Sequence, residues 1–212
     1  CPSTVTTTLQ IIGQDDATFS YDSPTYCVNH TNPTPTITTP GGAFSSSTSL
    51  ILNTVTGEIT TSTSSPGTYT VTYTTAGTCT DTSSVEVTIY ALDNASFSYD
   101  SSSYCVSDTD PIPSLTASQT LIGGTFSSTN GLSFTSSATG IIDLSASTAG
   151  TYTVTFTTAG NCPQSSSVTV TINDLDDASF SYAKAAYCEN ESDPSAVITG
   201  ITSGTFSSLS GL

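Results

Sequence analysis

The chain has 212 residues, 82 of them Ser or Thr, and a net charge of −16 from 17 acidic residues against one basic residue, Lys184. A single cation cannot make the electrostatic footprint that phosphate contacts need, which excludes nucleic-acid binding and leaves nothing to dock on an anionic membrane surface. Met and Trp are absent, apolar runs are only a few residues long, and β-favouring Thr abounds, so the composition predicts an all-β fold with no membrane insertion.

Internal repetition decides the architecture. Asp15-Asp-Ala-Thr-Phe-Ser-Tyr21 returns as Asp93-Asn-Ala-Ser-Phe-Ser-Tyr99 and Asp176-Asp-Ala-Ser-Phe-Ser-Tyr182, at offsets of 78 and 83 residues. Each opening leads to a Tyr-Cys pair: Tyr26-Cys27, Tyr104-Cys105 and Tyr187-Cys188. A polar segment ending in proline follows, and then a Gly-Xaa-Phe step at Phe44, Phe126 and Phe206. Leu50 to Ile59, with Gly57 between apolar stretches, reads as a hairpin, and Leu132, Phe134, Gly140 and Ile142 match it. The five extra residues of the second repeat fall around Gln119 to Ile122 and within Leu132 to Ile142, where loops tolerate insertion.

Next comes the stretch repeated most closely. Gly67-Thr-Tyr-Thr-Val-Thr-Tyr-Thr-Thr-Ala-Gly-Thr-Cys79 and Gly150 to Cys162 agree at eleven of thirteen positions. Tyr69, Val71 and Tyr73 alternate with threonines, the period-2 pattern of a strand with one buried face. Ala76-Gly77 then supplies a turn before the cysteine. Val85 to Ile89 and Val168 to Ile172 read as closing strands. Tyr69 and Tyr152 sit where immunoglobulin-like sandwiches often carry a tyrosine corner, a role to be weighed against that of a plain core tyrosine.

About seven short strands in roughly 80 residues predict an Ig-like β-sandwich per repeat. The expected organisation is 1–14 as the last strand of a preceding repeat, 15–92 and 93–175 as Ig-like repeats, and 176–212 as the first part of a third. Cys1-Pro2 matches Cys162-Pro163, so the chain starts in mid-pattern, as a piece of a longer array would.

Six cysteines without a CxxC pair read as a disulfide framework in an oxidising, extracellular setting. Pairing within repeats joins Cys27 to Cys79 and Cys105 to Cys162. Pairing across junctions joins Cys1 to Cys27, Cys79 to Cys105 and Cys162 to Cys188. A third option crosslinks to a neighbouring repeat or chain. The within-repeat scheme is favoured, because the turn before the last strand should lie far from the next repeat's first strand. That makes Cys27, Cys79, Cys105 and Cys162 the expected structural disulfide residues.

No catalytic or cofactor-binding residue stands out. His30 is the only histidine and lies in a polar turn, whereas a Ser/His/Asp triad needs an imidazole held between a hydroxyl and a carboxylate. The acids Asp15-Asp16, Asp93 and Asp174 to Asp177 fall at repeat boundaries, and Asp108, Asp110, Glu189, Glu191 and Asp193 alternate in the loop before the proline. Calcium at the junctions is a candidate on that ground, but no stretch has EF-hand spacing and the bland reading is solvated turns. Asn29, Asn94 and Asn190 match the N-glycosylation acceptor pattern.

The quoted openings, Tyr-Cys pairs, Gly-Gly-Thr-Phe-Ser-Ser step and Gly-Thr-Tyr-Thr-Val-Thr-Tyr strand resemble the tandem Ig-like repeats of very large Bacteroidota cell-surface proteins. Those are gliding-motility-type adhesins exported by the type IX secretion route. The order Gly-Leu, Thr-Gly, Gly-Thr-Tyr also resembles cadherin-like Ig modules. The resemblance covers the whole chain and implies a non-enzymatic, extracellular, cell-surface stalk or filament. Its partners would be neighbouring repeats of the same chain, with other copies in a filament and surface glycans or proteins as further candidates. The rival function is a carbohydrate- or protein-binding module acting through sandwich-end loops, with Tyr26, Tyr104 and Tyr187 as candidate exposed aromatics. A stalk attached to a hydrolase elsewhere is a third reading.

Overall fold

The computed structural model describes residues 1–116, 123–201 and 203–208. The fold is all-β, with β-sandwich repeats in tandem along the chain. The first repeat holds β1 (Phe19–Ser20), β2 (Thr25–Cys27), β3 (Thr36–Ile37), β4 (Ala43–Ser46), β5 (Gly67–Thr74) and β6 (Thr82–Tyr90). The second holds β7 (Ser103–Cys105), β8 (Gly124–Ser128), β9 (Ser133–Ser136), β10 (Ile141–Asp143), β11 (Gly150–Thr158) and β12 (Ser165–Asn173). β13 (Phe180–Ser181) and β14 (Val197–Ile198) follow. The expected insertion around Gln119 to Ile122 lies outside the described residues.

The main sheets have the same order, β2-β6-β5-β4 and β7-β12-β11-β8. The closely repeated stretch forms β5 and β11, each at a central position of its sheet. Tyr69, Val71 and Tyr73 point inward, and Thr68, Thr70 and Thr74 point out. On the outer face, hydroxyls pair across strands: Thr68 with Thr88 at 2.9 Å and Thr72 with Ser84 at 2.8 Å, and again Thr155 with Ser167 at 2.8 Å. A threonine-rich face is therefore satisfied without charge, each such pair being worth a few tenths of a kcal/mol to about 1 kcal/mol.

β5 runs antiparallel to β4 and β6, but the short β2 lies parallel to β6, with Cys27 opposite Tyr90. β7 lies parallel to β12 in the same way, Cys105 opposite Asn173. The Tyr-Cys strand therefore sits at the far end of the closing strand from the turn that carries the other cysteine.

The first core comprises Ala17, Phe19, Tyr26, Phe44, Leu50, Ile59, Tyr69, Val71, Tyr73, Val87 and Ile89. Every one of these positions has a buried counterpart in the second repeat, from Ala95 and Phe97 to Val170 and Ile172. Phe19, Phe44 and Tyr73 meet in a triangle of rings 4.5–6.0 Å apart, and Phe97, Phe126 and Phe156 repeat it at 4.6–6.1 Å. The expected hairpin is β9–β10 in the second repeat and a single bridge, Leu52 to Ile59, in the first. Its turn glycines need positive φ (Gly57 +73°, Gly140 +67°), and a Cβ on Gly140 would meet the Phe126 ring at 2.6 Å.

Residues 1–18 carry no strand, and Val5, Leu9 and Ile11 are exposed. By spatial clustering the chain divides into two compact units. One is Cys1–Ala95 with Ala117–Gly124 and Thr157–Ser165; the other is Ser96–Thr116, Thr125–Phe156 and Ser166–Leu212.

Candidate functional site

The cysteines, the repeat-opening acids and the buried tyrosines each recur in the two repeats. One disulfide joins Cys27 and Cys162, with Cα atoms 5.7 Å apart and a sequence separation of 135. Both residues belong to the first compact unit. Cys1, Cys79, Cys105 and Cys188 are thiols. This corrects the favoured pairing of Cys27 with Cys79 and Cys105 with Cys162, and it is not the junction scheme either. It is an instance of the third option, a bond from one repeat to its neighbour.

The reason is strand direction. Cys79 precedes β6, whereas Cys27 is level with its last residue, Tyr90. Nine strand residues at about 3.3 Å each separate the two by some 30 Å, and a disulfide tolerates Cα atoms no more than about 7 Å apart. Cys162 is brought to Cys27 from elsewhere: its Sγ lies 3.9 Å from the Tyr90 carbonyl, and Cys27 Sγ lies 3.8 Å from the Asn161 carbonyl.

The repeat-opening aspartate anchors the turn that carries the cysteine. The Asp93 amide donates to the Cys162 carbonyl at 3.0 Å, and its carboxylate accepts from the Thr158 hydroxyl and the Gly160 amide. Asp15 makes the same backbone bond to Cys79, 3.0 Å long. A side chain on Gly160 would collide with that carboxylate, which explains the glycine.

Tyr26 and Tyr104 are core residues, not exposed platforms, whereas Tyr187 is half-buried beside Lys184. The Tyr26 hydroxyl donates to Asp22, and Tyr104 donates to Asp100 at 2.5 Å. Each phenol oxygen also accepts a backbone amide, from Ser23 and Ser101. Burial, reinforced by the carboxylate partner, pushes both phenols up to about 12. The same hydrogen bond holds the Asp22 carboxyl below its usual range. Tyr21 and Tyr99, raised by burial, donate to the carbonyls of Gly57 and Gly140 at 2.6 Å. These bonds pin the hairpin turns over the core. Tyr69 and Tyr152 bond the carbonyls four residues upstream, Ser65 and Thr148, the tyrosine-corner geometry.

Several acids, Asp108 and Asp110 of the sequence candidates among them, serve backbone amides, whereas one buried carboxylate oxygen of Asp15 has no hydrogen-bond partner among the described residues. Asp81 accepts from the Ala17 amide, Asp108 from the Cys105 amide and Asp110 from the Leu144 amide. In a chain with one lysine, amides and hydroxyls are the donors these carboxylates have. Bonds from Thr18, Ser145 and Ser179 hold Asp16, Asp143 and Asp177 below the usual carboxylate range. Among the described residues, no three His, Cys, Asp or Glu side chains converge in a way that could hold a metal. His30 Nδ1 faces the neighbouring Thr31 carbonyl at 2.6 Å, and its ring lies 5.0 Å from that of Tyr26. Asn29, Asn94 and Asn190 are solvent exposed.

No family model matches the sequence, and no curated protein matches it. Several solved structures are similar. A protocadherin gammaB7 EC3-6 cis-dimer structure is 14% identical over 86% of this chain and 56% of that one, with a TM-score of 0.36. Human CDH23 EC21-23 is 12% identical over 84% of each chain, TM-score 0.39. Drosophila N-cadherin EC1-4 is 11% identical over 76% of this chain and 50% of that one, TM-score 0.33. The chain thus spans little more than half of the protocadherin chain and half of the N-cadherin chain.

Proposed function

We propose that the chain is a structural repeat region of an extracellular cell-surface adhesin or filament, organised as the repeats 15–92 and 93–175 with parts of further repeats on either side. The observation that carries this reading is the duplication of the whole core and sheet order, joined by a disulfide from one repeat to the next. A site with a private function would set one repeat apart by a polar cluster. Here the repeats share even the phenol–carboxylate pair at Tyr26 and Tyr104. Such a chain lengthens by adding units that contact chiefly their neighbours.

The resemblance to gliding-motility-type adhesins supports a role in adhesion or gliding and export by the type IX route. The surplus of acid keeps laterally arrayed copies soluble and apart. A loop-borne glycan site would need exposed aromatics, and Tyr26 and Tyr104 are committed to the core. Electron microscopy of a multi-repeat segment tests the proposal. A thin rod that lengthens in proportion to repeat number is expected, and a compact globule would overturn it.

A further inference from the structure

We propose that Cys27–Cys162 is one rung of a repeating covalent ladder, in which the cysteine of each repeat's Tyr-Cys strand bonds the turn cysteine of the repeat that follows. The inference rests on the tandem-array reading, not on what the array adheres to.

Both halves of the rung recur with their surroundings. The strand half at Cys27 has its register with Tyr90 and a Val28 amide bond to the Tyr90 carbonyl of 3.0 Å. Cys105 has the same register with Asn173 and a Val106 amide bond to its carbonyl of 3.0 Å. The turn half at Cys162 has its carbonyl on the Asp93 amide and its Sγ 3.9 Å from the Tyr90 carbonyl. Cys79 has its carbonyl on the Asp15 amide and its Sγ 3.6 Å from the Ile12 carbonyl. Ile12 precedes Asp15 by the same three residues that separate Tyr90 from Asp93. Tyr90 is the residue level with the bonded Cys27, so Cys79 faces the place where a preceding repeat would present its own Tyr-Cys cysteine.

Neither thiol can be satisfied inside its own repeat. The nine residues of β6 hold Cys79 away from Cys27, and the nine of β12 hold Cys105 away from the turn of Cys162. Cys79 and Cys105 are both partly exposed, as the bonded Cys27 is. Cys188 supplies the next strand half and Cys1, aligned with Cys162, the previous turn half.

Each rung forms by exchange with a small-molecule or protein disulfide. The Cys105 thiolate attacks one sulfur of that disulfide and releases one thiol. The turn-cysteine thiolate of the next repeat then attacks the mixed disulfide and releases the second. Two thiols are oxidised, the donor disulfide is reduced, and the two protons leave with the released thiols.

The test is disulfide mapping by mass spectrometry of the full protein, alkylated before unfolding and digested without reduction. Three linkages are expected: Cys27 to Cys162, Cys105 to the turn cysteine of the following repeat, and Cys79 to the Tyr-Cys cysteine of the preceding one. Recovery of Cys105 or Cys79 as alkylated thiols beside intact flanking repeats would overturn the ladder and leave the stalk reading standing. A full-length mass with no room for further repeats would overturn the stalk reading itself, and the ladder with it. In residues 1–212, Cys162→Ser should leave Cys27 fully alkylatable; a Cys27–Cys79 bond in that variant would contradict the strand geometry.

Discussion

The openings at 15–44 and 176–206 share their sequence pattern and their first strand pair, yet one belongs to a core and the other does not. Phe180–Ser181 pairs with Val197–Ile198 as Phe19–Ser20 pairs with Thr36–Ile37. The Phe180 and Phe206 rings lie 5.0 Å apart, close to the 5.4 Å of Phe19 and Phe44. Phe19 and Phe44 are 5% and 2% exposed, but Phe180 and Phe206 are 50% and 58% exposed. In the first two repeats a third ring, Tyr73 or Phe156 of the Gly-Thr-Tyr-Thr-Val-Thr strand, packs on both of the corresponding aromatics. The Tyr-Cys corner differs in its own sequence. Ala183 stands where Asp22 and Asp100 bind a phenol, and beside Tyr187 the single cation, Lys184, binds Glu191 at 3.0 Å.

The largest effect on this contrast should come from the staple, which only the complete repeats possess. Cys27→Ser opens a loop of 135 residues, and loop-closure entropy of that size corresponds to about 5 kcal/mol in the chain-entropy account. Thermal unfolding followed by calorimetry should show both repeats melting earlier, with Cys79→Ser as a near-silent control. Phe156→Ala comes next. It removes the third ring of the second repeat, should cost about 3–5 kcal/mol and should loosen the packing of Phe97 and Phe126. Dye binding and hydrogen exchange at 124–158 would report this, with the first repeat protected as before.

Gly140→Ala places a Cβ against Phe126 at positive φ and should cost about 1–3 kcal/mol in denaturant titrations. The smallest effect is that of the phenol–carboxylate pairs. Tyr26 and Tyr104 keep their protons up to about pH 12 in the folded chain, against about 10 when unfolded. Their raised values mean that this stability is complete below pH 10 and is lost as pH rises toward 12. Melting temperatures between pH 9 and 12 should fall, and the double variant Tyr26→Phe, Tyr104→Phe should flatten that fall while losing about 1 kcal/mol per pair at neutral pH.

Much of this was legible in the sequence, because the alternation in Tyr69, Val71 and Tyr73 carries its own geometry. A period of two fixes which residues face inward, and repetition carried the reading from one core to the next. The turn glycines were equally readable, since Gly57 and Gly140 are required by backbone conformation. What escaped was the direction of a three-residue strand. Thr25–Cys27 is too short for its residues to favour a parallel or antiparallel neighbour, and that neighbour, β6, lies some sixty residues on. With that direction unknown, a cysteine at one end of β6 could not be distinguished from one at the other, and the favoured pairing went to the wrong partner. The acids were legible as turn residues, but their work as amide acceptors follows from a shortage of cations that only the folded backbone makes visible.

The central claim is that a bond between the repeats closes off the 135-residue separation from Cys27 to Cys162. Stretching residues 1–212 from their ends in a single-molecule force experiment tests it most directly. The chain between Cys27 and Cys162 should stay hidden from the pulling force while the disulfide is intact. Added reductant should then lengthen the fully extended chain by about 450–490 Å, the span of 135 residues. Equal extended lengths in the oxidised and reduced states would contradict the account.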